Sequence, residues 1–229
     1  MYKHLVGIPI ASILLWTGAA TAAPLTGSSS GTFDTITSCS GTHQVCEGSG
    51  TNILTWYNSS SDQGPSTEST LTADPLTFNT PGPTTVTVGE LTWVVGTTNV
   101  TPHFDYNLAI NITSPDGIAD DQTFALTVSN TAGGENLNGL DLNDLSAMSL
   151  TFADGATLTD FAYSVDNGTL TQTGGKNNLT DHWAVLNSTT DDLFITAQYT
   201  PVPEPMTLSL FGAGLAGAAA LRRRKKATA

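Results

Sequence analysis

The chain has 229 residues, 20 acids against 7 bases, a formal net charge of −13 and 39% hydrophobic residues. Its bases sit at the ends: Lys3 near the start and Arg222, Arg223, Arg224, Lys225 and Lys226 near the finish leave Lys176 as the lone base among acids running from Asp34 to Glu204. A body this acidic, without a single arginine, repels nucleic acid and anionic lipid and excludes both as partners.

The first element is an export signal. Lys3 and His4 precede an apolar stretch from Leu5 to Trp16, and Ala20-Thr21-Ala22 supplies a small-x-small cleavage pattern, the build of a secretory signal peptide. Cleavage after Ala22 is expected, with residues 1–22 removed and a body of residues 23–200 remaining, the length of one domain. In an oxidising compartment Cys39 and Cys46 are expected to form a disulfide. His43 lies between them, but one histidine with two cysteines does not make a closed zinc site.

The body reads as β throughout. Alternation is strictest from His103 to Thr113, where Phe104, Tyr106, Leu108, Ile110 and Ile112 fall on one side and Asp105, Asn107, Ala109, Asn111 and Thr113 on the other, the period of a half-buried strand. The same pattern occurs at Leu91-Trp93-Val95, Phe124-Leu126-Val128, Leu150-Phe152, Phe161-Tyr163-Val165 and Leu193-Ile195-Ala197-Tyr199. Val86 and Val88 precede the first of these in the opposite phase, so a turn or bulge is expected at Gly89-Glu90. Turn residues separate the runs at Pro81-Gly82-Pro83, Pro115-Asp116-Gly117, Gly133-Gly134, Asn167-Gly168 and Gly174-Gly175. Residues 59–70 read as a surface loop, and Leu140 to Met148 as a turn or short helix within a loop. The fold class expected is all-β, an antiparallel, jelly-roll-like sandwich.

Chemistry is sparse in this pattern. No Gly-x-Ser-x-Gly elbow occurs. His103 continues the polar row of its strand and reads as a surface residue; His182, beside Asp181 and Trp183, reads as part of an exposed loop. Twenty acids make a carboxylate pair at glycosidase spacing inevitable, so their number identifies no site. The body is expected to be no enzyme and to need no cofactor. One metal is considered, a structural Ca²⁺ held by Asp116, Asp120 and Asp121 beside a glycine turn, although the spacing departs from the EF-hand loop; a solvated acidic turn is the alternative. For sugar stacking the platforms are Trp56, Tyr57, Trp93 and Trp183. Trp93 is in phase with core residues, one of Trp56 and Tyr57 must face out, and Tyr57 and Trp183 remain as candidates. Six Asn-x-Ser/Thr sequons, at Asn58, Asn99, Asn111, Asn167, Asn178 and Asn187, are what a chain rich in Asn and Thr produces.

Segments along the body are similar to the choice-of-anchor K domain, a bacterial surface module: Gly31-Thr32-Phe33, Gly50-Thr51-Asn52 leading into Trp56, Gly89-Glu90-Leu91-Thr92, and the Leu/Ile strand of residues 106–112. The chain departs from that pattern at Tyr57, where glycine is usual, and at Thr131-Ala132-Gly133, where a Thr-Pro-Asn turn is expected. The resemblance implies fold and surface location and carries no activity.

The last element is tripartite. Pro203-Glu204-Pro205 ends the body, because two prolines cannot continue a helix. Residues 206–221 form an apolar run, rich in Gly and Ala in its second half, and five cations follow at residues 222–226. As a helix the run would be about 24 Å long, short of the roughly 30 Å hydrocarbon core, and the cations, Arg222, Arg223 and Arg224 leading, would stay cytoplasmic. Residues 201–229 resemble a PEP-CTERM sorting signal. The resemblance implies an exosortase and the inner membrane as partners during sorting, and export in a Gram-negative bacterium to the envelope, surface or exopolysaccharide matrix. The expected role is structural or adhesive; a carbohydrate-binding module is the alternative, and a secreted hydrolase the third.

Overall fold

A computed structural model describes residues 23–41, 43–59, 68–131, 133–140, 145, 148–171, 181–202, 212, 214 and 215. The chain falls into two units, Ala22–Val202 on one hand and Met1–Thr21 with Pro203–Ala229 on the other. Of the second unit only Gly212, Gly214 and Leu215 are described, and all three are helical. The expected signal peptide, the Pro-Glu-Pro triplet, the basic cluster and most of the expected helix 206–221 lie outside the described residues. Among the described residues no helix is long and apolar enough to cross a membrane.

The described residues of the first unit form fourteen strands: β1 (Leu25–Ser40), β2 (Gln44–Glu47), β3 (Ile53–Asn58), β4 (Ser69–Asp74), β5 (Leu76–Thr80), β6 (Thr84–Val94), β7 (Thr101–Ser114), β8 (Ile118–Thr131), β9 (Gly134–Asn138), β10 (Leu150–Thr151), β11 (Thr157–Val165), β12 (Thr169–Thr171), β13 (His182–Leu186) and β14 (Thr190–Thr200). They form two seven-stranded sheets, β12-β13-β9-β8-β7-β1-β5 and β10-β11-β14-β6-β4-β3-β2, and every pairing is antiparallel. The expected sandwich is the fold, with more strands than the eight of a jelly roll.

β7 shows why alternation builds this core. Phe104, Tyr106, Leu108, Ile110 and Ile112 are all buried, while His103, Asn111 and Thr113 are exposed. Each such burial stabilises by roughly 1.5–3 kcal/mol. In β6 the phase reversal has the expected bulge as its cause. Ile195 pairs with Gly89 and Thr196 with Thr87, so Val88 is the extra residue, and inward positions pass from Val86 and Val88 to Leu91 and Trp93. β11 reverses phase in the same way between Leu158 and Phe161, across a register shift that contains Asp160 at φ 54°.

The expected surface loop 59–70 ends earlier than its composition suggests. Residues 60–67 lie outside the described set, but Ser69 and Thr70 belong to β4, and Ser69 is fully buried. Of Leu140 to Met148, Leu145 is helical and buried, with Met148 N–H donating to its carbonyl at 3.0 Å.

Cys39 and Cys46 form the expected disulfide. Cys39 ends β1 in one sheet and Cys46 lies in β2 at the edge of the other, so the bridge staples the sheets together at that end. Closing so short a loop contributes about 2.5 kcal/mol on the chain-entropy estimate. Replacing both cysteines by serine should therefore lower unfolding free energy by about that amount, read as a shifted denaturant midpoint that reductant no longer changes.

Candidate functional site

Three tryptophans meet inside the sandwich. Trp183 of β13 packs edge-on against Trp93 of β6 at 5.2 Å between ring centres, and Trp93 lies 6.1 Å from Trp56 of β3. All three are fully buried. Two buried carboxyls serve the outer two, Trp183 and Trp56, while the Trp93 indole N–H is buried without a hydrogen-bond partner. The Trp183 Nε1–H donates to Asp191 Oδ2 at 2.6 Å, and the Asn167 backbone N–H donates to Asp191 Oδ1 at 2.5 Å. Trp56 Nε1–H and the Ser69 hydroxyl donate to Glu135 Oε1 at 3.3 and 3.0 Å. Glu135 Oε2 is buried with no hydrogen-bond partner. Burial pushes the Glu135 carboxyl up to about 7, against a smaller opposing pull from the two donors. A carboxyl in such surroundings holds its proton well into the neutral range.

Above this cluster the turns open a cleft of about 380 Å³. It is framed by the β8–β9, β11–β12 and β13–β14 connections, with Asn136, Asn167, Thr169, Thr190 and Asp191 among its polar lining and Leu186 on its apolar side. Backbone bonds hold the three connections: Asn187 N–H donates to Gly133 O at 2.9 Å, Ser188 N–H to Val95 O at 2.8 Å, and Asp166 N–H to Asp192 O at 3.1 Å. Gly168 is required where it stands. A Cβ there would run into Asp191 Oδ2 and lie 2.8 Å from Trp183 Nε1, so only glycine lets the β11–β12 turn close over the buried carboxylate.

On the outer face of the second sheet Thr92 Oγ1 lies 2.9 Å from Asp74 Oδ2 and 2.7 Å from Asp192 Oδ1. Glu90 stands beside them, its carboxyl raised by partial burial and then by the charges of Asp74 and Asp192.

The residues singled out in the sequence are scattered. Asp116 lies between β7 and β8, its Oδ2 accepting from the Ala153 backbone N–H at 2.6 Å; Asp120 and Asp121 lie within β8, backbone-paired with Ile110 and Ala109. Among the described residues no group of three or more metal-ligating side chains is close enough to hold an ion. Trp183 is not an exposed stacking platform, because its indole is sealed between Trp93 and Asp191. Tyr57 does face outward from β3, half-buried. Its hydroxyl donates to Glu47 Oε1 at 3.4 Å and is held above its ordinary range, first by the Glu47 charge. Among the described residues Tyr57 and Phe194 are the only aromatic residues that are half-buried rather than buried, so no exposed aromatic row exists there.

His103 is exposed as expected, with Nδ1 at 3.0 Å from Thr127 Oγ1. His182 is not in a loop: it opens β13, half-buried, and Asp181 beside it is fully buried. Cross-strand pairing sets His103, Thr127, Asn138 and His182 in one row, which keeps the two imidazoles three strand spacings, about 14 Å, apart. Neither histidine lines the cleft.

Sequence reasoning missed Glu135, Asp191 and the cleft. One signal was available, since Glu135 stands two residues from Leu137, in phase with an inward position.

Residues 201–225 match the PEP-CTERM protein-sorting motif. Curated proteins and solved structures give no match to the chain. The motif marks an exported protein that an exosortase processes at the membrane on its way to the envelope or surface. Pro201 follows directly on Thr200, the last residue of β14, and β14 lies inside its sheet between β11 and β6.

Proposed function

From a chain that ends in a PEP-CTERM sorting motif, we propose an exported, non-catalytic β-sandwich that is displayed at the surface, or in the exopolysaccharide matrix, of a Gram-negative bacterium. Its role there is structural or adhesive. The match over residues 201–225 is the observation that carries this reading. The disulfide suits an oxidising exterior, and a body with one lysine against nearly all of the chain's acids suits solubility outside the cell. In this reading residues 1–22 are removed on export, residues 23–200 are the displayed domain and residues 201–229 are the sorting signal.

Fractionating a host with and without exopolysaccharide tests the matrix role. The processed protein should sediment with the matrix of the producing strain and appear in the medium of the strain that makes none. Equal release from both strains would remove the matrix from the account.

A carbohydrate-binding role is the second reading. The pre-formed cleft, which sets a few polar side chains beside a mostly apolar wall, favours it, at a volume within the roughly 300–1,000 Å³ of small-molecule sites.

A further inference from the structure

The geometry points to the cleft between the β8–β9, β11–β12 and β13–β14 connections as a binding site for a short neutral saccharide, held at the end of the sandwich where β14 begins. The inference rests on the carbohydrate-binding reading and gives it a place and a ligand class.

The lining carries the chemistry. Asn136 and Asn167 bring amides, and Thr169 and Thr190 bring hydroxyls, groups that both donate to and accept from vicinal sugar hydroxyls. Leu186 supplies an apolar contact for the C–H face of a ring. At 69% exposure it is the most exposed large hydrophobic side chain among the described residues, and it lines this cleft rather than lying elsewhere on the surface.

Charge narrows the class. Among the described residues the lining contains no lysine, arginine or histidine; the one ionisable side chain among them is Asp191, which is buried and has both oxygens engaged inward by Trp183 and Asn167. A uronate or sulfated sugar would find no counter-charge and would enter the field of a strongly acidic body. A neutral sugar meets no such penalty.

The site is also organised before any ligand arrives. The three connections are tied by the backbone bonds from Asn187, Ser188 and Asp166, and the β11–β12 turn is fastened to Asp191. Binding then costs little loop ordering, which favours affinity for a small ligand. Position fits the same role. β14 starts at Thr190 on the cleft and ends at Thr200, so its eleven residues span about 33 Å from the cleft to the strand's far end.

The test is saturation-transfer NMR and calorimetry on the full chain in phosphocholine micelles. The probes are cellobiose, maltose and mannobiose, with digalacturonate as the acidic comparator. Ala184→Arg and Thr190→Arg, both on the cleft lining, should weaken binding of a neutral disaccharide about tenfold or more, while Thr85→Arg, paired with Gln198 at the opposite end of β14, leaves it unchanged. Failure of all three neutral probes to bind, equal binding of digalacturonate, or binding that survives Ala184→Arg would overturn the inference. These outcomes are read in solution and do not depend on sorting: neutral-sugar binding that survives Ala184→Arg removes this site and leaves the carbohydrate-binding reading, whereas binding of none of the probes removes both and leaves the matrix role.

Discussion

Replacing Trp183 by alanine should destabilise the sandwich by about 3–5 kcal/mol, the range for truncating a buried aromatic, and by more if the cavity stays open. Its indole is fully buried against Trp93 and is the partner of Asp191 Oδ2. Truncation therefore removes ring contacts and also leaves a buried carboxylate oxygen without its donor. Trp183→Phe separates the two effects. It keeps most of the ring but not the N–H, and should cost about 1–3 kcal/mol, the penalty of one unsatisfied buried group. The same change should loosen the β11–β12 turn, because Asp191 also accepts from the Asn167 N–H. Denaturant unfolding followed by fluorescence reads the free energies, and amide exchange at Asn167 reads the turn. A cost below about 1 kcal/mol for Trp183→Ala would mean that the tryptophan cluster does not hold the two sheets together.

The second large effect is a dependence on pH. Glu135 is raised from an ordinary 4.5 to about 7. Between those values the folded chain keeps a proton that the unfolded chain has released, so the folded state binds more protons and stability falls as pH rises. The loss begins near pH 4.5, is complete just above pH 7 and amounts to about 3 kcal/mol at 1.36 kcal/mol per unit. The groups around the carboxyl are the Trp56 indole and the Ser69 hydroxyl from the second sheet, with Asn130 and Val185 as its neighbours across β8 and β13; none of these is a cation that would steady the charge. Glu135→Gln keeps an oxygen for both donors and cannot ionise, so its melting temperature should be nearly flat across the window. Glu90 is raised as well and contributes a smaller slope of the same sign, which both proteins retain. Parallel pH profiles for wild type and Glu135→Gln would show that Glu135 is not the group responsible.

Much of the fold was legible because the inward side chains are large and regularly spaced. β7, β8, β11 and β14 announce themselves by alternation, and the bulge in β6 was visible as a change of phase between Val88 and Leu91. β1 is the instructive failure. It is the longest strand, yet its inward positions include Ser29 and Gly31. The reason is steric: a Cβ on Gly31 would meet the Tyr106 ring at 2.5 Å, and one on Gly27 the Phe78 ring at 2.7 Å. Neighbouring strands supply the bulk there, so β1 carries no hydrophobic pattern of its own. β4 and β9 were hidden for a related reason, since Ser69 and Glu135 are inward polar residues, the Ser69 hydroxyl donating to Glu135 Oε1 across the core.

The cleft was not legible at all. Its lining runs from Thr131 to Asp191 in the chain, and only the pairing of β9 with β13, together with the fastening of β11–β12 to Asp191, brings the parts together. Trp183 misled for the opposite reason. A tryptophan beside Asp and His resembles a sugar platform until the strand phase is known, and that phase turns it inward. The sorting signal needed no fold to be read, because its Pro-Glu-Pro triplet, apolar run and basic cluster follow one another directly in the chain.

The measurement that decides the central claim is the intact mass of the protein recovered from cells and from their surroundings, in hosts with and without the exosortase. Loss of the C-terminal segment from around Pro203-Glu204-Pro205 only where the enzyme is present is the expected result. A tail that remains intact in the inner membrane of both strains would contradict it, and would make the chain a tethered periplasmic domain instead.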